Sequence, residues 1–136
     1  MHDAQVLADL MRSADVVINL VGILHDRDAR SPYGKRFAAA HVELPRKIVA
    51  TMQQAGVRRL LHMSALKAAP DAPSAYLRSK GEGESLVRAA PGLDVTVFRP
   101  SVIFGPGDAF LNTFAGLLRA LPVLPLAGAS TRFAPV

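Results

Sequence analysis

Hydrophobic and polar residues alternate along this chain in blocks whose spacing changes from helical to strand-like and back. Four segments carry apolar side chains three and four positions apart, the spacing of an amphipathic helix. These helical segments are residues 4–14, 37–55, 75–90 and 110–121. Between them lie three short, mostly apolar runs that predict strands, at residues 16–21, 57–63 and 94–99. The first run is apolar except at Asn19, which fits a strand buried on both faces of a parallel sheet.

Two residues are expected to interrupt or end the longest helix. Pro45 has no backbone donor and clashes with the preceding turn, so it predicts a kink or a break. Gly56 is a natural helix stop.

This alternation predicts an α/β fold with a doubly wound parallel sheet and right-handed crossovers. Only three strands are visible, and a three-stranded parallel sheet has two open edges and a thin core. The chain also opens on a helix that no strand precedes. We therefore expect residues 1–136 to form a single partial domain, the central part of such a fold, with strands missing upstream.

The composition agrees with a packed core and excludes several kinds of site. Half of the 136 residues are hydrophobic, and the absence of cysteine rules out disulfides, thiolate metal sites and cysteine nucleophiles. The net charge of +5 comes from scattered basic pairs without interleaved aromatic residues, so we expect no nucleic-acid partner. We see no leader-like segment and no apolar run of the roughly 20 residues that a membrane span needs, which predicts a cytoplasmic location.

The histidines are not expected to bind metal. His25, Asp26 and Asp28 lie among arginines in a polar segment, which is typical of a solvated loop. His41 and His62 fall on apolar faces and are expected to be core or pocket-wall histidines with satisfied hydrogen bonds.

The strongest candidate chemistry is the pair Tyr76 and Lys80, four residues apart on one face of a predicted helix. A tyrosine hydroxyl has a reference pKa of about 10, and a neighbouring cation favours the phenolate and lowers that pKa. Such a pair can exchange a proton with a carbonyl or an alcohol during hydride transfer. The alternative is a surface tyrosine and lysine that share the spacing by chance.

Three further candidates follow the predicted strands, where the active sites of open α/β sheets gather. Ser64 is placed either to hydrogen-bond a substrate oxygen or to cap a turn. Residues 19–22 end in a glycine, which permits close backbone approach to a ligand or forms a plain turn. Residues 99–108 form a glycine loop that either presents backbone groups to a ring or simply joins strand to helix.

Taken in order, these residues resemble the short-chain dehydrogenase/reductase superfamily in its extended or atypical branch, the NAD-dependent epimerase/dehydratase-like proteins. The resemblance rests on Asn19-x-x-Gly22, Ser64, Tyr76-x-x-x-Lys80 and Arg99-Pro100 before a glycine loop. The phrases VVINLVGIL, AGVRRLLHMSAL, YLRSKGEGE and RPSVIFGPGDAFLN most resemble bacterial relatives of the Rossmann-fold accessory subunit of respiratory complex I. The resemblance implies the central part of an NAD(P)-binding Rossmann fold, without its N-terminal strands and C-terminal substrate portion.

The resemblance also implies a role for each residue. Tyr76 would be the proton donor or acceptor, and Lys80 would hold the nicotinamide ribose hydroxyls and tune Tyr76. Ser64 would act on the substrate oxygen. The cofactor would be NADP or NAD, with NADPH slightly favoured. The residues implied to border it, besides Tyr76 and Lys80, are Asn19, Leu20, Val21, Gly22, Pro100, Ser101 and Ile103.

Three departures from the family pattern limit what the resemblance implies. Members usually carry a second hydroxyl after the strand-end serine, whereas Ser64 is followed by Ala65. His41 stands where many relatives have asparagine. The glycine-rich turn that binds pyrophosphate at a helix N-terminus does not occur in the sequence, so residues 1–136 by themselves are expected to be inactive.

Two functions follow from these motifs. The first, which we favour, is an NAD(P)-dependent oxidoreductase or a nucleotide-sugar epimerase/dehydratase type of enzyme that acts through Tyr76 and Lys80. The alternative is a non-catalytic cofactor-binding accessory or assembly protein. Its partner would be a membrane respiratory complex or another quinone-linked complex, bound at the inner face of the membrane. A third interpretation is a truncated reading frame with no activity of its own.

Overall fold

The computed structural model describes residues 4–28, 31–103, 105 and 108–120. The chain forms two compact units, Met1–Arg99 and Pro100–Val136, and the single partial domain indicated by the sequence stays a prediction. In chain order the elements are α1 (Ala4–Met11), β1 (Val16–Asn19), α2 (Lys35–Phe37), a π-helical segment (Ala38–Glu43), α3 (Leu44–Ala55), β2 (Arg59–Met63), α4 (Ala75–Arg88), β3 (Asp94–Phe98) and α5 (Ala109–Ala120). All of these except α5 belong to the first unit.

The three strands form one parallel sheet in the order β1–β2–β3, which confirms the predicted α/β fold. Asn19 pairs in register with His62, and Met63 pairs with Phe98. One residue further, the Ser64 amide donates a hydrogen bond to the Phe98 carbonyl at 2.8 Å. Because parallel strands end at the same edge of a sheet, the strand-end candidates of β1 and β2 come together there.

The core lies on one face of this sheet. Alternate strand residues, Val17, Leu60 and Val95, pack with side chains of α1, α3 and α4 around the fully buried Met52 and Val87. Burial of a large apolar side chain stabilises a fold by about 1.5–3 kcal/mol. This cluster therefore sets the position of α4 over the sheet.

The prediction that the first strand is buried on both faces is wrong. Val16 and Ile18 of β1 are 40% and 56% exposed, because β1 is an edge strand and the three helices pack on the other face. The strand also ends at Asn19, two residues earlier than predicted. The reason is local, since the Val21 amide donates to Asn19 Oδ1 at 3.1 Å rather than to a strand partner.

The longest predicted helix is interrupted, as Pro45 indicates, but upstream of the proline. Ala38–Glu43 is π-helical, and Pro45 lies in the first turn of α3. Pro45 has no N–H for the carbonyl of His41, four residues earlier, so the regular α-helical bond cannot form there. α3 ends as predicted at Gly56, whose φ of 75° is left-handed.

Helix α4, capped by Ser74, lies so close to its neighbours that two of its glycines have no room for a side chain. A Cβ added at Gly83 would overlap the carbonyl oxygen of His41 in the π-helical segment. A Cβ added at Gly81 would overlap the backbone of Ala69 in the loop after β2. Both obstacles are backbone atoms, so this close approach requires glycine at both positions.

One ion pair with a buried carboxylate joins α4 to the end of β3. Glu84 is 2% exposed and accepts hydrogen bonds from Arg99 at 2.7 to 3.0 Å and from Arg88 at 2.7 Å. Burial acts to raise the pKa of Glu84, but the hydrogen bonds from Arg99, Ser64 and Arg88 hold that pKa below its ordinary value of 4.5. Glu84 is therefore a charged group within the packed interior.

Gly83→Ala should lower the free energy of unfolding by about 3 kcal/mol or more, because the new methyl group meets backbone atoms that cannot swing away. Urea unfolding followed by circular dichroism measures this change. Gly116→Ala is the matched control, since nothing lies within 4 Å of its added Cβ and alanine in a helix is favoured over glycine by about 1 kcal/mol. An unchanged unfolding midpoint for Gly83→Ala would contradict the close packing.

Glu84→Gln should lower the free energy of unfolding at pH 7 by about 2–3 kcal/mol, since it removes charge-assisted hydrogen bonds from a buried group. Because the folded-state pKa of Glu84 lies below its ordinary value, the stabilisation is complete above about pH 4.5. It is lost as the pH falls through the folded-state pKa. The difference from wild type should therefore shrink in acid, as urea unfolding at several pH values will measure.

Glu43→Gln, at an exposed position, makes the same charge change and should alter stability by less than about 0.5 kcal/mol. A loss at Glu84→Gln that stays constant between pH 7 and pH 3 would show that packing, and not charge, is responsible.

Candidate functional site

Two buried side chains at the strand ends form the first part of the site. Asn19 Oδ1 accepts from the Val21 amide, so the Asn19 amide nitrogen faces His62 Nδ1, 3.1 Å away. Since an amide nitrogen only donates, His62 Nδ1 accepts and a neutral His62 carries its proton on Nε2. Burial and the nearby charge of Lys80 lower the pKa of His62 to about 4, so the ring is neutral at pH 7.

The second part is the ring of His41, which joins the segment after β1 to α4. The Ile23 amide donates to His41 Nε2 at 3.1 Å, and His41 Nδ1 lies 2.8 Å from Ser79 Oγ. Ser79 in turn donates to the Tyr76 carbonyl at 2.8 Å. His41 is 2% exposed, and burial together with Lys80 lowers its pKa to about 4. The ring is thus buried and hydrogen-bonded, as its place in the sequence indicates.

Lys80 is the buried cation of the site. Its Nζ donates to the Met63 carbonyl at the end of β2, 2.6 Å away. Burial lowers the pKa of Lys80 to about 8, and the charge of Glu84, one turn further along α4, opposes that shift. A Cβ added at Gly22 would lie 3.8 Å from both Lys80 Nζ and His41 Nε2. The segment after β1 and helix α4 therefore meet at the Lys80 ammonium.

Tyr76 lies one turn before Lys80 and is half-buried. Its ring meets the rings of His41 and Phe37 edge-on, at centroid distances of 5.6 and 6.1 Å. Burial raises the pKa of Tyr76, which corrects the expectation that Lys80 lowers it. The Lys80 ammonium is directed at the Met63 carbonyl, and its charge acts on the two histidines instead. Tyr76 is therefore a neutral phenol that is better suited to donate a proton than to accept one.

Ser64 lies just after β2, as predicted, but its hydroxyl is enclosed. The residue is 3% exposed, and Oγ makes no well-formed hydrogen bond in the described structure. The hydroxyl is close enough to the Glu84 carboxylate to help lower the pKa of that group. The following residue, Ala65, is also buried and has no hydroxyl. The end of β2 thus directs one hydroxyl towards Glu84 and supplies no second one.

Four of the predicted site residues surround the two buried histidines: Asn19, Gly22, Tyr76 and Lys80. The other predicted cofactor residues are not gathered with them. Leu20 and Val21 follow β1 and are 65% and 37% exposed. The remaining three belong to the unit that begins at Pro100, so their roles stay predictions: Pro100, Ser101 and Ile103.

Two supporting residues are absent from the sequence-based candidates. Ser79 orients His41, and Glu84 places a negative charge one turn from Lys80. A sequence signal for Glu84 exists, because the four-residue spacing of Tyr76 and Lys80 continues to it along one helix face. Ser79 has no such signal, since its role depends on a ring that is 38 residues away in the chain.

Within the ranges that the structure describes, we find neither a metal site nor a membrane span. No three histidine or carboxylate side chains there cluster in a way that could hold a metal ion. None of the helices in those ranges is long and apolar enough to cross a membrane. Asp26 instead accepts hydrogen bonds from the amides of Asp28 and Phe37, at 3.0 and 2.9 Å, and so orders its own loop.

Known proteins are similar to this chain in sequence and in fold. The model of the NAD dependent epimerase/dehydratase family matches residues 1–121. The chain is 36% identical over 127 residues to NADH dehydrogenase (ubiquinone) 1 alpha subcomplex subunit 9, mitochondrial, of Mus musculus, covering 92% of this chain and 32% of that protein. It is 30% identical over 132 residues to the ceramide reductase of Caulobacter vibrioides, covering 97% and 39%.

The fold is also that of a UDP-glucuronic acid 4-epimerase from Bacillus cereus, solved in complex with NAD. That structure matches with a TM-score of 0.66 at 18% identity, over 89% of this chain and 45% of the epimerase. The chain thus spans about a third of the length of the curated relatives. The resemblance noted in the sequence is confirmed, and this chain belongs to the NAD-dependent epimerase/dehydratase family.

Proposed function

We propose that this protein binds a nicotinamide dinucleotide, NADP or NAD, at the strand-end site, with Lys80 as its main contact. The observation that carries the proposal is the buried Lys80 ammonium beside Gly22. Within the described part of the chain the ammonium donates one hydrogen bond, to the Met63 carbonyl, and its other donors would serve the ribose hydroxyls. Glycine at position 22 places bare backbone beside Nζ, since a Cβ there would lie 3.8 Å from it, and such a backbone permits close approach of a polar ligand. Family membership supports the same cofactor.

We favour a catalytic function of the oxidoreductase or nucleotide-sugar epimerase/dehydratase type. The bound dinucleotide would supply hydride transfer, and Tyr76 is the group that would give a proton to a carbonyl oxygen. Because burial raises its pKa, the Tyr76 hydroxyl keeps its proton at neutral pH, which favours the reductive direction. One relative bears the name ceramide reductase, which agrees with that direction.

The second candidate function is that of a cofactor-binding accessory or assembly protein without turnover. The enclosed Ser64 hydroxyl and the adjacent Ala65 favour it, because the strand end then has no evident group to polarise a substrate oxygen. Relatives that are named as subunits of NADH dehydrogenase support a respiratory complex as the partner. Such a protein would be peripheral at the inner face of the membrane.

Lys80→Met should weaken dinucleotide binding at least about tenfold, because hydrogen bonds from a charged group contribute about 1.5–3 kcal/mol. NADH and NADPH are titrated separately and followed by their own fluorescence, with little protein background since the chain has no tryptophan. NADPH is expected to bind slightly more tightly. Lys47→Met, at an exposed position on α3, removes the same charge and should leave affinity unchanged. Equal affinity of wild type and Lys80→Met would contradict the proposed site.

Tyr76→Phe separates the two functions. If the protein is an enzyme, the variant should bind dinucleotide within about threefold of wild type yet lose turnover by about a hundredfold or more, the usual contribution of a general acid. The assay follows NAD(P)H consumption with carbonyl and sugar-nucleotide substrates. If wild type turns over none of them but co-purifies with membrane respiratory subunits, and Tyr76→Phe does so equally, the accessory function stands and the catalytic one falls.

A further inference from the structure

The partners of His41 fix which ring nitrogen donates a hydrogen bond and which one accepts. The Ile23 amide can only donate, so His41 Nε2 must present its lone pair. A neutral ring then carries its proton on Nδ1 and donates to Ser79 Oγ, whose own proton goes to the Tyr76 carbonyl. The series of hydrogen bonds from Ile23 to helix α4 is therefore complete only with the Nδ1–H tautomer of His41.

The surroundings of His41 keep the ring neutral. Lys80 and Tyr76 face it from α4, and His62 faces it from β2. Lys80 is a cation, and neither of the other two groups carries a negative charge at pH 7. A second ring proton would also point at the Ile23 amide hydrogen and break that bond. Protonation of His41 would thus release the segment after β1.

That segment holds the glycine beside the cation of the site. Gly22 immediately precedes Ile23, and a Cβ at Gly22 would be equally far from His41 Nε2 and Lys80 Nζ, at 3.8 Å. The bond from Ile23 to His41 therefore sets how closely the Gly22 backbone approaches the Lys80 ammonium. Among the described residues, this bond is what ties the Ile23 backbone to the interior.

We propose that His41 is a positioning residue of the dinucleotide site, which as its Nδ1–H tautomer ties the Gly22 segment to helix α4 beside Lys80. This inference rests on the proposed dinucleotide binding. It goes beyond that function by assigning the placement of the Gly22 backbone beside Lys80 to a histidine ring and to the position of one proton. The side-chain amide of asparagine has one acceptor oxygen and one donor nitrogen, as the Nδ1–H ring has one acceptor and one donor. Asparagine can therefore replace the ring as a hydrogen-bond partner of Ile23 and Ser79, whereas leucine cannot.

The test combines ring-nitrogen NMR with dinucleotide titration. Long-range proton–nitrogen correlation spectra of wild type should show His41 protonated on Nδ1 and His62 on Nε2, with the signals assigned from His41→Asn. His41→Leu should weaken NADPH or NADH binding at least tenfold, and His41→Asn should keep it within threefold. Wild-type affinity for NAD or NADP, the oxidised forms that are stable in acid, should fall as the pH drops towards the His41 pKa of about 4. His41→Asn should lose that fall, a change that a purely structural role would not produce.

The outcomes separate this inference from the function on which it rests. An Nε2–H tautomer at His41, or wild-type affinity in His41→Leu, would overturn the positioning role while dinucleotide binding stands. If the unaltered protein binds neither dinucleotide, the proposed function falls and the positioning role falls with it. If His41→Leu does not fold, the tautomer and the pH profile of His41→Asn decide by themselves.

Discussion

The close contact between Gly83 and the carbonyl of His41 is the constraint on which the rest of the site depends. Pro45 removes the amide that would bond this carbonyl in a regular helix, and the chain winds as a π-helix before it. Gly83 has no side chain, so α4 can lie directly against the carbonyl. The His41 ring then reaches Ser79 on one side and the Ile23 amide on the other. A larger residue at position 83 would separate all of these groups at once.

The same close packing explains the electrostatics of the site. Lys80 and Glu84 are one turn apart on α4, and both are nearly inaccessible to solvent. Glu84 is stabilised as an anion by Arg99 and Arg88, whereas among the described residues Lys80 donates to the Met63 carbonyl. Burial and, after it, the positive charge of Lys80 lower the pKa of His41 and of His62, which keeps both rings neutral at pH 7. The imidazole rings can therefore act as hydrogen-bond partners with fixed tautomers.

The hydrophobic periodicity predicts the architecture, and the rule that sites gather at the carboxyl ends of parallel strands predicts part of the site. The alternation of apolar runs places Asn19 and Ser64 at the same edge of a parallel sheet, and the four-residue spacing puts Tyr76 and Lys80 on one helix face. The sequence does not show in which direction the functional side chains point. It does not reveal that the Lys80 ammonium turns to a strand carbonyl, or that the Ser64 hydroxyl turns towards Glu84. Those orientations depend on how closely α4 approaches the loop after β2 and the π-helical segment, and Gly81 and Gly83 make these two approaches possible.

Both proposed functions require the same geometry around Lys80, so the sequence motifs alone do not distinguish the catalytic function from the accessory one. The proposed dinucleotide binding would depend on Lys80, on Gly22 and on the ring of His41, which the packing of α4 brings together. Proton transfer adds a demand on Tyr76 and on a hydroxyl that can polarise the substrate. In this chain the protonated Tyr76 phenol would meet the first demand of the proposed enzyme, but the strand-end hydroxyl is enclosed beside Glu84. A Tyr–Lys pair in this fold is therefore evidence for cofactor binding first, and for turnover only where a second polar group faces the same opening.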